Sequence, residues 1–267
     1  MKNILVLIHD DSGEEARLQA ALDITRAFEG HLTCLDVSIT PILVDDAFSG
    51  GMGAAMILAE ERVVETRNAA AIKERLARED VAWDWIDATG TPAPRMEYAA
   101  VLQQLIVVNR RLDDFPWPRM LGIASDLILK TRKPVLAVPE TARGFDVGGR
   151  ALVAWDGSPH ADAALQAALP LLRRATRVVL LEVADHAVMM PAEEAASFLA
   201  RHGIASIVIR KSVPEPIADV ILSEMDHLHA DYVVMGGYGH SRVAEAMFGG
   251  VTRTMLRESP VPVFLAH

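Results

Sequence analysis

One segment concentrates the residue types that can hold a phosphate without using a charged side chain. Met235-Gly236-Gly237-Tyr238-Gly239-His240-Ser241 continues the apolar run that starts at Tyr232, and nine residues separate Gly239 from Gly249-Gly250-Val251-Thr252. A glycine at the carboxyl end of a parallel strand lets the backbone come close to a ligand. A glycine turn at a helix start aims unpaired N–H groups at an anion, and the helix dipole adds to the attraction. On this reading Gly236 and Gly239 form one wall, Gly249 and Gly250 present N–H groups to phosphates, and Thr252 or Ser241 adds a hydroxyl. Tight turns use glycine for steric reasons alone. The restrictive element is the whole spacing at a strand end: glycine, two residues, glycine, nine residues, glycine.

Other chemistry is sparse. No glycine-rich loop ends in Gly-Lys-Ser/Thr, so a P-loop is excluded. No His-Glu-x-x-His or Cys/His zinc spacing occurs. His9-Asp10-Asp11 and His227-Leu228-His229 place adjacent side chains in different directions and are not read as chelators. A serine beside its base in sequence, as in His240-Ser241, is not a triad, whose members meet in space. Cys34 lies in the apolar run His31-Leu32-Thr33-Cys34-Leu35 and reads as an inert core thiol. Ser49-Gly50-Gly51-Met52-Gly53 reads as a surface loop, with a lid over a neighbouring site as the alternative. The charged helix after it (Glu60, Glu61, Arg62, Glu65, Arg67, Lys73, Glu74, Arg75) reads as a solvated face.

The elements that must position the glycines repeat. Ile4-Leu5-Val6-Leu7-Ile8 followed by polar turn residues matches Ala151-Leu152-Val153-Ala154-Trp155 followed by Asp156-Gly157-Ser158. Each is followed by an alanine-rich helical stretch, 14–28 and 160–172. Lys133-Pro134-Val135-Leu136-Ala137-Val138 matches Val261-Pro262-Val263-Phe264-Leu265-Ala266 near the end of each half. Between these marks strand and helix patterns alternate, which implies βαβ units and a parallel sheet. Strands are predicted at 3–8, 31–37, 81–87, 104–108 and 134–138, then at 151–155, 177–183, 204–210, 231–235 and 262–266. Further helices are predicted at 54–79, 93–102 and 120–131, then at 191–202, 215–229 and 243–258. Residues 1–142 and 149–267 are read as two domains. The link Glu140 to Arg150, with Gly144, Gly148 and Gly149, reads as a mobile connector. A short antiparallel pairing of the two last strands would cover both exposed sheet edges.

Length and composition agree. The chain has 267 residues, 51% of them hydrophobic, 26 Lys+Arg against 36 Asp+Glu, and a net charge of −10. Bulk charge therefore opposes a nucleic-acid partner, because phosphate contacts dominate such binding. No uncharged stretch approaches a membrane span, and the five-residue apolar run Ile4 to Ile8 is too short for a signal peptide. With one cysteine and no leader, the expectation is a soluble cytoplasmic protein.

The glycine spacing, the Asp156-Gly157-Ser158 turn and the Val261 to Leu265 strand together resemble the universal stress protein family, as a tandem member covering nearly the whole chain. The resemblance implies an α/β fold. Two tandem five-stranded parallel open sheets with helices on both faces, of the adenine-nucleotide α-hydrolase-like kind, would pack as an intramolecular pseudo-dimer. It also implies that the carboxy-terminal half binds ATP or a related adenine nucleotide, with or without Mg²⁺. Ala154 and Asp156 would lie by the adenosine and Val183 by the base. Met235 and Gly236 would run along the ribose, and Gly239, Gly249, Gly250 and Val251 along the phosphates. As a turn residue Asp156 needs no ligand, and Met235 and Val183 can serve the core at the same time.

Two departures from the family pattern bear on function. Gly250 stands where the pattern has Ser or Thr, which removes a hydroxyl worth about 0.5–1.5 kcal/mol. In the first half Asn109, Leu112, Gly122 and Ile123 stand where Gly236, Gly239, Gly249 and Gly250 stand in the second. No nucleotide is expected there in the usual way, although Arg110, Arg111, Asp113, Asp114 and Trp117 are available to a remodelled cleft. Three functional readings follow: a stress-response or regulatory protein that binds nucleotide with little or no catalysis, a nucleotide-independent protein-interaction module with a lost site, or a slow ATP hydrolase. The protein partner and any further homodimer are left open.

Overall fold

The computed structural model describes residues 1–39, 52–112, 119–183, 190–212, 214–238 and 250–267. In the helix that begins at Met52, side chains are described at 59 and from 62 onward. The described strands are β1 Asn3–Ile8, β2 His31–Ile39, β3 Ala82–Gly90, β4 Leu105–Asn109, β5 Val135–Val138, β6 Arg150–Trp155, β7 Arg177–Val183, β8 Ser206–Lys211, β9 Tyr232–Gly236 and β10 Val263–Ala266. The helices are α1 Glu14–Ala27, α2 Met52–Leu76, α3 Pro92–Ala99, α4 Met120–Thr131, α5 Pro159–Leu172, α6 Ala192–Arg201, α7 Ile217–His227 and α8 Val251–Glu258.

The strands form one continuous sheet in the order β3-β2-β1-β4-β5-β10-β9-β6-β7-β8. Within each half every pairing is parallel, and β5 meets β10 antiparallel, Leu136 opposite Phe264. The two halves are thus joined edge to edge, which removes the open edge each would otherwise present. The strand that makes this joint enters each half in the same way: Ile106 N–H donates to Pro134 O and Val233 N–H to Pro262 O, both at 3.0 Å.

Alternation along the strands divides the core into two faces. Ile4, Val6 and Ile8 face a cluster shared with α1, α2, α5 and α6, while Leu5 and Leu7 face one shared with α3, α4, α7 and α8. Each cluster crosses from one half to the other. Parallel strands covered on both faces read as continuous apolar runs for this reason.

Two sequence expectations are corrected. The connector is docked rather than mobile: Phe145 and Val147 are buried, Phe145 N–H donates to Asp23 Oδ2 at 2.9 Å, and its ring lies 5.1 Å from that of Tyr232. Apolar residues between the glycines outweigh the glycines' freedom. The predicted helix 243–258 is interrupted at Gly250, which is extended at φ −50°, ψ 151°, and its last part runs from Val251; residues 243–249 lie outside the described residues. No described helix is long and apolar enough to cross a membrane.

Candidate functional site

In the carboxy-terminal half the chain runs from β6 outward to β7 and β8, then returns to β9 on the other side of β6. The carboxyl ends of β6 and β9 therefore flank the switch point where open α/β sheets place ligands. Beyond β6, Asp156 is exposed and its Oδ1 accepts from Ser158 N–H at 2.9 Å. Ser158 in turn caps α5 by accepting from Ala161 N–H at 3.2 Å. Asp156 is thus held by an Asx turn that the local sequence explains without a ligand. Ala154 is half-buried, and Val183, at the end of β7, is buried with 8% exposure.

Beyond β9, Met235 is buried in the core. Helix packing by itself requires a glycine at 236. A Cβ there would lie 2.8 Å from the backbone at His160 and Ala161 in the first turn of α5. Tyr238 follows at φ +55° and its N–H donates to Thr252 Oγ1 at 3.1 Å. That bond places the first turn of α8 beside the exit of β9. Thr252 Oγ1 is the acceptor there and the residue is 3% exposed. Gly250 is the N-cap of α8 and makes no side-chain cap bond. Arg253 N–H and Thr254 N–H donate back to Gly250 O at 2.9 and 3.2 Å, so the N–H groups of Val251 and Thr252 are the ones left for an anion among the described residues. Gly239, Gly249, His240 and Ser241 lie outside the described residues.

The same region of the amino-terminal half is filled. Arg110 N–H donates to Val138 O as Gly237 N–H does to Ala266 O, so Asn109 is the structural counterpart of Gly236. Its side chain takes the space between strand and helix, and the glycine has moved to the helix start. A Cβ at Gly13 would meet Asn109 Nδ2 at 2.5 Å. Asn109 Nδ2 donates to Gly13 O at 3.1 Å, and its Oδ1 accepts from Arg17 Nη1 at 2.7 Å. Arg17 has no exposed surface and also donates to Asp11 Oδ1, Leu7 O and His9 O. Leu112 is buried in the core, and a Cβ at Gly122 would meet nothing within 4 Å.

Residues not singled out in the sequence as site residues also gather at this end of the amino-terminal half. Arg110 turns away to cap the carboxyl end of α8, donating to Arg257 O and, at 3.4 Å, to Leu256 O. Residues 113–117 lie outside the described residues. Instead His9, Asp36 and Glu65 gather below α2. His9 Nδ1 lies 2.7 Å from Glu65 Oε1, which also accepts from Asp10 N–H at 3.2 Å. Glu65 is 2% exposed, so it does not belong to the solvated face read for this helix. Met52 and Gly53 begin that helix, and Ser49 to Gly51 lie outside the described residues. The signals that would have found these groups are positional. Glu65 shares the stripe of Ala69, Ile72 and Leu76, Arg17 that of Ala20, Ala21 and Ile24, and Asp36 the inward phase of Leu32 and Cys34.

Burial pushes the Asp36 carboxyl up to about 7, with help from the charges of Glu65 and Asp87 and a hydrogen bond to Glu65. Burial also raises Glu14 to about 7, against the opposing pull of Arg17. Burial pushes the Cys34 thiol up to about 12, which leaves it inert. Both carboxyls bind protons in the folded chain that the unfolded chain has released above pH ~4. Stability therefore falls as pH rises through 7. The melting temperature is expected to drop by several degrees between pH 5.5 and pH 8. Asp36→Asn, followed by thermal melting at both pH values, is expected to flatten that slope; an unchanged slope would count against the buried acid.

The comparisons with known proteins agree with this architecture. The sequence model described as the universal stress protein family matches residues 149–267. The comparison with curated proteins finds no match. Among solved structures, a universal stress protein from Archaeoglobus fulgidus DSM 4304 is 18% identical, covers 100% of this chain and 98% of its own, and superposes with a TM-score of 0.75. A functionally unknown protein from Pseudomonas aeruginosa PAO1 is 17% identical, covers 100% of this chain and 92% of its own, and has a TM-score of 0.62. At these identities the structural likeness speaks to fold. The carboxy-terminal half of this chain, through its sequence, belongs to the universal stress protein family, and the whole chain carries the fold of a full-length tandem member.

Proposed function

We propose that this protein is a regulatory nucleotide-binding protein, with ATP or a related adenine nucleotide held in its carboxy-terminal half and little or no turnover. The observation that carries the proposal is the start of α8, where the N–H groups of Val251 and Thr252 have no hydrogen-bond partner among the described residues and lie beside the exit of β9. It sits at the switch point of a chain with a net charge of −10, where backbone N–H groups are the available counterpart to phosphate. In this reading Asp156, Ala154 and Val183 lie on the nucleoside side, and Met235 and Gly236 shape the floor. Gly239, Gly249, Gly250 and Val251 follow the phosphates. Asp156, tied to Ser158, is not placed as a general base, which favours binding over hydrolysis. The filled counterpart around Asn109 and Arg17 favours one nucleotide per chain.

The test exploits the geometry of Gly250. Its extended backbone is the conformation that precedes proline, and Val251 is the first helical residue, where proline is well tolerated. Val251→Pro should thus delete one N–H while keeping the helix. A hydrogen bond to a charged group is worth about 1.5–3 kcal/mol. Calorimetric titration with ATP and Mg²⁺ is expected to saturate, and Val251→Pro to weaken it about 10-fold or more. Absence of saturable heat from the intact protein would remove the proposal, leaving the nucleotide-independent interaction module.

A further inference from the structure

The carboxyl ends of β2 and β3 and the overlying α2 frame a cavity of about 390 Å³ in the amino-terminal half, outside the nucleotide site proposed above. Asp36 and Glu65 lie at its buried side, 6% and 2% exposed. Ser38 and Lys73 are half-buried, and Asp87 and Arg62 stand at the open side. Asp36 Oδ1 and Glu65 Oε2 are both buried, and among the described residues each meets no donor other than a proton on the other acid. An unmet buried carboxyl oxygen is costly. Only a proton shared between the two acids relieves it, and a donor-bearing cation would do so better.

We propose that this cavity binds a small zwitterion, an amino acid or a longer aminocarboxylic acid, with its ammonium group between Asp36 and Glu65 and its carboxylate toward Lys73 and Arg62. An ammonium group offers three donors where the shared proton offers one. The second pole follows from Lys73 and Arg62, two cations against the one carboxylate of Asp87. They repel the far end of a diamine, and they match a carboxylate. The Lys73 ammonium is held 4.3 Å from the centre of the Trp85 ring, and Trp85 Nε1 donates to Asp87 Oδ1 at 2.8 Å, so that side of the cavity is already ordered. The volume lies within the range of small-molecule pockets, about 300–1,000 Å³.

The charged and titratable groups around Asp36 set the pH response. They are His9 from the end of β1, Glu14 from α1, Asp87 from β3, and Arg62, Glu65 and Lys73 from α2. Asp36 is protonated below about pH 7 in the empty chain, whereas an ammonium neighbour requires the carboxylate. Binding below that pH therefore releases a proton, and affinity rises from pH 6 to pH 8.

The experiment is calorimetric titration of the full chain with glycine, 4-aminobutyrate and 6-aminohexanoate, with butyrate, butylamine and putrescine as controls. The expected result is saturable binding of at least one aminocarboxylate, tighter at pH 8 than at pH 6. At pH 6.5 the heat should depend on buffer ionisation enthalpy. Asp36→Asn, which the raised carboxyl predicts to be folded at pH 8, and Lys73→Gln are each expected to weaken binding about tenfold or more. No saturation by any of the three aminocarboxylates, equal affinity in Asp36→Asn, or tighter binding of butylamine or putrescine would overturn the proposal. Because ATP binding is read at Val251 and this site at Asp36, failure of either leaves the other standing.

Discussion

Arg17→Met is expected to cost about 3–5 kcal/mol of unfolding free energy, as removal of one partner from a buried ion pair does. The guanidinium has no exposed surface, and four acceptors depend on it: Leu7 O, His9 O, Asp11 Oδ1 and Asn109 Oδ1, all within 2.7 Å. Methionine fills much of the volume but strands the Asp11 side chain, which is 2% exposed and whose Oδ2 already lacks a hydrogen-bond partner among the described residues. The cost is therefore the desolvated carboxylate left behind more than the pair itself. A second variant separates these terms. Asp11→Asn added to Arg17→Met is expected to recover more than 1 kcal/mol of the loss, about the size of coupling typical of contacting residues. Urea denaturation of the three variants measures both quantities. A single-variant loss below about 1 kcal/mol would mean that Arg17 does not hold the cleft together.

Phe264→Ala is expected to be as damaging, for a different reason. Phe264 is fully buried on the strand that joins the halves, opposite Leu136 in the antiparallel pair. Truncation of a buried phenylalanine costs about 3–5 kcal/mol, through lost transfer energy and the cavity left behind. Here the cavity lies in a core cluster that crosses from one half to the other. Differential scanning calorimetry of the parent chain is expected to show one transition, with calorimetric and van't Hoff enthalpies in agreement. Phe264→Ala should move that whole transition down. Two peaks, of which only one moves, would mean that the halves unfold independently and that the shared sheet adds little.

How much of this was legible beforehand can be judged from particular residues. The parallel strands announced themselves because burial on both faces demands unbroken apolar runs such as Ile4 to Ile8 and Tyr232 to Met235. The pairing of β5 with β10 followed from two matching edge strands with nothing else to cover them. The turn at Asp156 and the cap at Ser158 were readable because such bonds span only two or three residues. Gly236 has a structural reason that its spacing did not reveal. Strand–helix contact with His160 and Ala161 requires it, and sequence spacing cannot distinguish a helix from a ligand as the object that approaches.

The polar core of the amino-terminal half was not legible. Arg17, Asp36 and Glu65 are charged residue types that normally face water, and each taken alone reads as solvated surface. Their stripe positions carried a faint signal, but their partners lie on other elements. Arg17 meets Asn109, 92 residues away, and Asp10 N–H meets Glu65 across 55. The sequence by itself determined the repeated α/β plan and the strand joining the halves. These are encoded in local patterns that repeat along the chain. Only the tertiary structure decided that Asn109 and Arg17 fill the first cleft, that Thr252 accepts from Tyr238, and that two buried acids face one cavity. Those outcomes depend on which side chains, distant in sequence, reach the same low-dielectric space, where an unpaired charge costs most.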